Sequence, residues 1–512
     1  MPLPDISFIK GQGGLGRPLP GQDFISALIF YTGNLPSGFT STARIKALYA
    51  PSDAIAAGIL NDYSDGTAAS ATYLITTLGA TGDTIKFVSN DLSATGTPQA
   101  TILCQYTKVV GDSSIALLGA SIAAAINAGT ITHGYTASFT TATLTITAPK
   151  KYGVFLNTGT PLVVTITGTI AGTLTTFSGG VASKFAVYYY HISEFFRLQP
   201  QGILYVGFFA VPGSYDFTEI TLVQNFANGT IRQVGILKDS ASAFSSANLT
   251  TIDAVCKVND AAHKPISALY AADLSGTADI STLADLSTLT ANKATAVIAQ
   301  DGGGQGYFLW LATGKSVTIL GAQLGTVALS KVSESIAWVG KFNISDGAEC
   351  EVLAFANGQL FSSTAITDNL LSNLNDKRYT FLRKFVGLSG SYFNDSNCAI
   401  ISSNDYSQIE NNRTIDKATR GIYSSLLPSL NSPIQLNADG TLSETTTAYL
   451  ESQAGVNLDQ MVRDSELSAY AVTINPAQNV LATSKIIVVV QLLINGVARQ
   501  ISIPIGFVPK IS

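Results

Sequence analysis

At 512 residues the chain exceeds what one ordinary hydrophobic core can serve, which predicts two to four domains. A content of 46% hydrophobic and 12% charged residues excludes a disordered chain and predicts a folded protein with an unusually uncharged surface. The net charge of −5, with no basic run, excludes the electrostatic footprint of a nucleic-acid binder.

In chain order, a short proline-broken stretch, MPLPDISFI, leads into KGQGGLGRPLPGQD at positions 10–23, where Gly11, Gly13, Gly14 and Gly16 crowd together. A dinucleotide-binding loop needs its glycines between a buried strand and a helix, so that backbone N–H groups point at the pyrophosphate. Neither flank is present, and two prolines follow that remove donors and block a helix. Residues 1–22 are therefore expected to be an exposed N-terminal arm. No basic region followed by an apolar stretch opens the chain, which predicts a protein made in a cytoplasm.

DFISALIFY contributes an element to a central α/β domain expected over 23–60 and 184–400. Between them, over 61–183, charges almost vanish and Thr, Ser, Gly and Val take over, as in ATLTITAP and LVVTITGTIAGTLTTF. Alternating Thr and β-branched residues between glycines predict strands with one solvated face, so this segment reads as an inserted β-rich outer domain. Its one helix, SSIALLGASIAAAINAG, stops at Gly129.

From Phe185 the pattern becomes strand–helix alternation. The predicted strands are ILYVGFFAV, IRQVGIL, ISALYAA, ATAVIAQ and IAWVGKF, and the predicted helices include LTTIDAVCKVNDAAH and ISTLADLSTLTAN. Unbroken apolar strands between amphipathic helices require a sheet covered on both faces.

Residues 401–512 form a third, α+β unit: a helix at IENNRTIDKATRGIYSSLL, a strand at PIQLNAD turning at Asp439-Gly440, a helix at TTTAYLESQAGVNLDQMVRD, then strands. Asn495-Gly496 between apolar runs signals a hairpin. The last run, RQISIPIGF, would put Ile501, Ile503, Ile505 and Phe507 on one strand face, with Pro504 confining it to an edge. The fold class expected is thus multidomain α/β with an inserted β-rich domain, an α+β C-terminal domain and extended terminal arms. The longest apolar run, IIVVVQLLI, is too short to span a bilayer as a helix, so no membrane insertion is expected.

Groups for chemistry are few. The four cysteines, Cys104, Cys256, Cys350 and Cys398, are far apart without a C-x-x-C pair and read as buried thiols. The three histidines, His133, His191 and His263, have neither a metal-helix partner nor a nucleophile elbow beside them and read as packing or capping residues. QDGGGQG at 300–306 follows a predicted strand at the edge where α/β ligands bind, but the aromatic YFLWLA stands where a helix should open. TGKS imitates a P-loop ending, with Leu309 in place of its first glycine. The N-x-S/T sequences at Asn228, Asn248, Asn343 and Asn412 have no meaning in a chain without a secretory signal. No catalytic, cofactor or metal residue is assigned.

RYTFLRKFVGLSGSYFNDSNCAII, NRTIDKATRGIYSSLLPSLNSPIQLNADGTLS and LSAYAVTINPAQNVLATSKIIVVVQLLINGVARQISIPIGF together resemble the C-terminal half of contractile tail sheath proteins of bacteriophages. YYYHISEFFRLQPQGILYVGF and GLGRPLPGQDFISALI resemble one branch of that family, which also includes sheaths of phage-derived injection machines. The resemblance implies a non-enzymatic subunit that polymerises helically around an inner tail tube and contracts to drive it through a target envelope. It implies many copies of the chain, tube, baseplate and tail terminator proteins as partners, and a place in a virion tail assembled in the bacterial cytoplasm. It also implies that terminal segments add strands to neighbouring subunits, with the four clustered glycines as an arm hinge and Ile501, Ile503, Ile505 and Phe507 as arm contacts. Arg413, Lys417 and Arg420 share one helix face, where Asp416 offers a partner at helical spacing. The resemblance makes these three cations candidates to face an acidic inner tube. A cytoplasmic α/β enzyme using QDGGGQG and a β-rich surface adhesin are the alternatives from other classes.

Overall fold

The computed structural model describes residues 22–239 and 243–507. The arm glycines Gly11, Gly13, Gly14 and Gly16 lie outside the described residues. The chain divides into two compact units: a larger one, Phe24–Thr414 with the residues from Val497 on, and a smaller one, Ile415–Gly496 with the residues up to Asp23.

The larger unit is built on a six-stranded sheet in the order Ala294–Val297, Ser267–Ala271, Gln233–Leu237, Ile25–Tyr31, Ile203–Phe209, Ile45–Leu48. The first five strands are parallel; the edge strand Ile45–Leu48 is antiparallel. Every residue of Ile25–Tyr31 is buried, so both faces of the sheet are covered, as its unbroken apolar sequence requires. DFISALIFY therefore supplies a central strand, with Ile25 opposite Ile203 and Tyr31 opposite Phe209. Among the covering helices, Lys184–Leu198 and Leu320–Leu329 cross closely. A Cβ at Gly321 would meet the His191 carbonyl oxygen at 2.1 Å, and one at Gly325 the Phe195 carbonyl oxygen at 2.7 Å, so only glycine permits this approach.

Within the same unit, 67–178 carry two antiparallel sheets. One is four-stranded, in the order Thr136–Thr140, Thr143–Thr147, Ser70–Thr77, Ala171–Ser178, and the other three-stranded, Pro98–Thr107, Thr84–Leu92, Leu162–Thr167. The helix Ile115–Ala128 starts at Ser114, whose side chain accepts from Leu117 N, and gives way at Gly129. Tyr73, Phe87, Ile122, Tyr135 and Phe177 form a core separate from that of the parallel sheet, and Phe308 and Ala312 join it from the helix Gln305–Thr313.

Several elements differ from expectation. ISTLADLSTLTAN forms two single 3₁₀ turns, Ile280–Thr282 and Leu286–Thr288, because Asp279 and Asp285 accept from the amides of Ser281 and Ser287 and hold the backbone in local turns. IAWVGKF is no strand; its amides close on neighbours, Trp338 N on Ser335 O and Phe342 N on Trp338 O. PIQLNAD makes only the isolated bridge Leu436 to Leu442, around the turn in which Gly440 has φ +84°.

In the smaller unit, the helix Ile409–Leu426, whose first turns belong to the larger unit, is followed by Glu444–Arg463, capped by the Ser443 side chain. Leu467–Ile474 and Val488–Ile494 pair antiparallel, Leu467 opposite Ile494 and Ile474 opposite Val488. The hairpin expected at Asn495-Gly496 is not made. Val488–Ile494 takes the preceding strand as its partner, Asn495 Nδ2 donates to Ser465 O at 2.7 Å, and 495–507 form no strand.

Candidate assembly surfaces

In the larger unit, Arg499 anchors the described part of the C-terminal segment. Arg499 Nε lies 3.0 Å from Asp395 Oδ1, and its Nη2 lies 2.5 Å from Glu410 Oε1, a carboxylate whose side chain is only 3% exposed. Beyond it Ile501, Ile503, Ile505 and Phe507 are 77%, 75%, 94% and 110% exposed. These four apolar residues alternate with Ser502, Pro504 and Gly506, the period of a strand, yet no strand partner is present among the described residues.

In the smaller unit, the two-stranded sheet has two open edges. Tyr470 donates through its hydroxyl to Asp459 Oδ1 of the helix Glu444–Arg463 at 2.6 Å, while Val489 and Leu493 stay about half exposed. A groove of about 960 Å³ lies beside it, lined by Tyr423, Leu427, Leu430, Ile434, Leu481 and Ile486 among others. Open sheet edges with apolar surroundings are templates for another strand.

The three candidate tube-facing cations are engaged inside the protein. Arg413 is 4% exposed; its Nη1 donates to Ser330 Oγ at 2.7 Å and its Nη2 to Ser330 O at 3.2 Å, closing the C-terminus of the helix Leu320–Leu329. Lys417 Nζ sits 2.7 Å from both Asp23 Oδ2 and Glu466 Oε1, and Arg420 Nη2 3.1 Å from Asp23 Oδ1, with side chains only 19% and 18% exposed. The helical spacing placed them on one face, as expected, but that face is packed rather than solvated. Asp23 and Glu466 are distant in sequence, and no local signal announces them.

The glycine-rich loop corrects one expectation and supports another. A helix, Gln305–Thr313, does open on QDGGGQG, with Gly304 as its N-cap. Its N-terminal amides are already taken by carboxylates of the chain: Gly304 N donates to Asp301 Oδ2 at 2.6 Å and Gln305 N to Glu349 Oε1 at 2.7 Å. A phosphate would meet two acids where a phosphate loop offers bare N–H groups. The Gly314 of TGKS, at φ +62°, is the left-handed C-cap of this same helix and begins no phosphate loop.

All four cysteines are free and buried. His191 is fully buried, and burial pushes its pKa down to about 3, so the ring is a neutral packing group. His133 Nδ1 accepts from Tyr135 N at 3.0 Å, and His263 lies just beyond the helix Ala247–Ala261. Among the described residues no group of three or more His, Cys, Asp or Glu could hold a metal ion, and no described helix is long and apolar enough to cross a membrane. At the carboxyl ends of Gln233–Leu237 and Ser267–Ala271 a cavity of about 210 Å³ is lined mainly by apolar side chains, with Lys184 on its rim 2.6 Å from Asp239.

The molecule is thus a mixed α/β protein of several sheets whose most prominent surface features are exposed apolar segments and open strand edges. Residues 3–397 match the family model described as DUF2586, N-terminal domain, and 405–512 the one described as DUF2586, C-terminal domain, so the chain belongs to the DUF2586 family. No curated protein matches it. Similar solved structures include the contracted helical sheath of the anti-feeding prophage, at 15% identity over 63% of this chain and 81% of that one, with a TM-score of 0.43. The contracted sheath complex of the extracellular contractile injection system PVC is 14% identical over 62% of this chain and 80% of that one, TM-score 0.42. A sheath tail protein of Listeria innocua is 7% identical over 92% and 94%, TM-score 0.35.

Proposed function

We propose that the chain is the structural subunit of a contractile tail sheath, polymerising helically around an inner tail tube and contracting to drive that tube through a target envelope. The observation that carries this reading is the C-terminal segment beyond Arg499: an extended apolar alternation, almost fully solvated, in a protein whose smaller unit offers a two-stranded sheet with open edges. Strand addition from one copy to the next takes its affinity from main-chain hydrogen bonds and its register from alternate side chains, and these are the parts it needs. The sequence resemblance to phage sheath proteins supports the same reading.

On this reading Ile501, Ile503, Ile505 and Phe507 enter a neighbouring copy, and the glycine-rich arm of residues 1–22 serves the opposite connection. Residues 61–183 face outward as a decoration, 23–60 with 184–400 form the central domain, and 401–512 the domain nearest the tube. The partners are further copies of the chain, the tube, and baseplate and terminator proteins of a virion tail or injection machine. The work is mechanical, a shift between two lattice packings, with no catalytic turnover.

Electron microscopy of the purified chain tests this directly. Striated tubes are expected for the full chain and none for a chain ending at Arg499. Tubes of normal length from the shortened chain would overturn the arm assignment, and a full chain that stays monomeric with the tube protein present would overturn the sheath reading.

A further inference from the structure

We propose that Asp301 and Glu349 form a one-proton latch that fastens the segment 346–352 to the glycine-rich loop, and that loss of this proton unfastens it.

The two carboxylates tie four backbone amides from two separate stretches. Asp301 accepts from Gly303 N at 3.3 Å, Gly304 N at 2.6 Å and Cys350 N at 3.1 Å, while Glu349 Oε1 accepts from Gln305 N at 2.7 Å. The remaining oxygen, Glu349 Oε2, is buried and makes no hydrogen bond of ordinary geometry, although the Gly306 amide also acts on this carboxylate. It faces Asp301 across Gly304: a Cβ there would lie 2.4 Å from Asp301 Oδ2 and 2.8 Å from Glu349 Oε2. Two ionised carboxylates cannot share so small a space away from water, whereas a protonated Glu349 donates to Asp301 and satisfies both. Cys350, which the latch holds by its amide, has φ +58°, a conformation unusual for a residue with a side chain. The segment thus stores backbone strain that opening would relieve.

Among the described residues, the other ionisable groups leave the pair without a cation. On the helix Lys184–Leu198, Tyr190 is buried with its hydroxyl beside Gly306 and unpartnered, and Glu194 holds Arg197 by two bonds of 2.8 and 2.6 Å. Arg197 also lies 3.5 Å from Asp346, so its charge is already balanced. The Cys350 thiol is pushed up by burial and stays neutral. Burial, with Asp301 beside it, raises Glu349 from the ordinary 4.5 to about 7. With its folded-state pKa raised to about 7, Glu349 holds the latch proton below that pH, and the stability this proton supplies is lost as pH rises through about 7.

Hydrogen exchange on the full-length unassembled chain tests the latch at the amides of Gly304, Gln305 and Cys350. After correction for the intrinsic pH dependence of exchange, protection is expected to fall about tenfold or more between about pH 6 and about pH 8. Glu349→Gln, which donates permanently, is expected to keep protection at both pH values, while the neighbouring control Glu351→Gln follows the parent. Equal protection of the parent at both pH values, or an unchanged fall in Glu349→Gln, overturns the proposal. Should Glu349→Gln fail to fold, the carboxylic infrared band of the parent decides: its loss near neutrality supports the latch, and its loss wholly below pH 5 refutes it.

Discussion

Lys417 Nζ lies 2.7 Å from Asp23 Oδ2, joining the first described stretch of the chain to a helix nearly four hundred residues later. Arg420 reaches the other oxygen of the same carboxylate, and Glu466 closes the group from the end of the helix Glu444–Arg463. Asp23, near the start of the described residues, is therefore held by charge within the smaller unit.

Reversing Lys417 and Arg420 to Glu places two further anions beside Asp23 and Glu466. The side chains are mostly buried, so the double variant is expected to lose stability by about 2–4 kcal/mol, somewhat less than for a deeply buried pair. Chemical denaturation of the unassembled chain measures this. A variant as stable as the parent would mean that these cations are free for an external surface after all.

The glycine crossing predicts a graded pair of effects. Gly321→Ala drives a methyl group into the His191 carbonyl, and Gly325→Ala meets Phe195 less closely, so losses of about 1–3 kcal/mol are expected, larger at Gly321. Thermal melting of the two variants provides the ranking, and the reverse order would show that the helices part more easily at His191.

Shortening the C-terminus separates assembly from stability at a single residue. A chain ending at Arg499 should keep the parent's stability and lose only polymerisation. One ending at Ala498 also strands Glu410 without its cation, at a cost of about 1–3 kcal/mol after allowing for the partial exposure of Arg499. Equal melting of the two shortened chains would remove Arg499 as the anchor.

Replacing 61–183 by a short Gly/Ser linker is expected to leave a folded chain that still forms tubes, but one carrying Phe308 bare, because Phe308 belongs to the core of the excised segment. Adding Phe308→Gln should therefore raise the soluble yield of the shortened chain. A shortened chain that folds but forms no tubes would place this segment within the lattice.

Titration with millimolar Mg-ATP or inorganic phosphate is expected to leave the melting temperature unchanged, since Asp301 and Glu349 already fill the helix N-terminus at Gly304. Stabilisation that vanishes on changing Gly302 or Gly303 would restore the nucleotide reading.

Much of the fold was legible in the sequence wherever a local pattern and its burial coincide. Unbroken apolar runs such as ILYVGFF announced a sheet covered on both faces, Gly129 marked the end of a helix, and i, i+4 and i+7 spacing put Arg413, Lys417 and Arg420 on one face. What the sequence could not determine depends on partners far along the chain. Asp23 and Glu466 turn a face that reads as solvated into a packed one, and Glu349 fills the loop built from Gly302 to Gly304. Val488–Ile494 pairs with the strand before it although Asn495-Gly496 offers a turn to the residues after it. Turn and helix signals report the free energy of a few neighbouring residues. Charge pairing and strand pairing are decided by which groups the tertiary structure brings within about 3–5 Å, and that choice belongs to the whole chain.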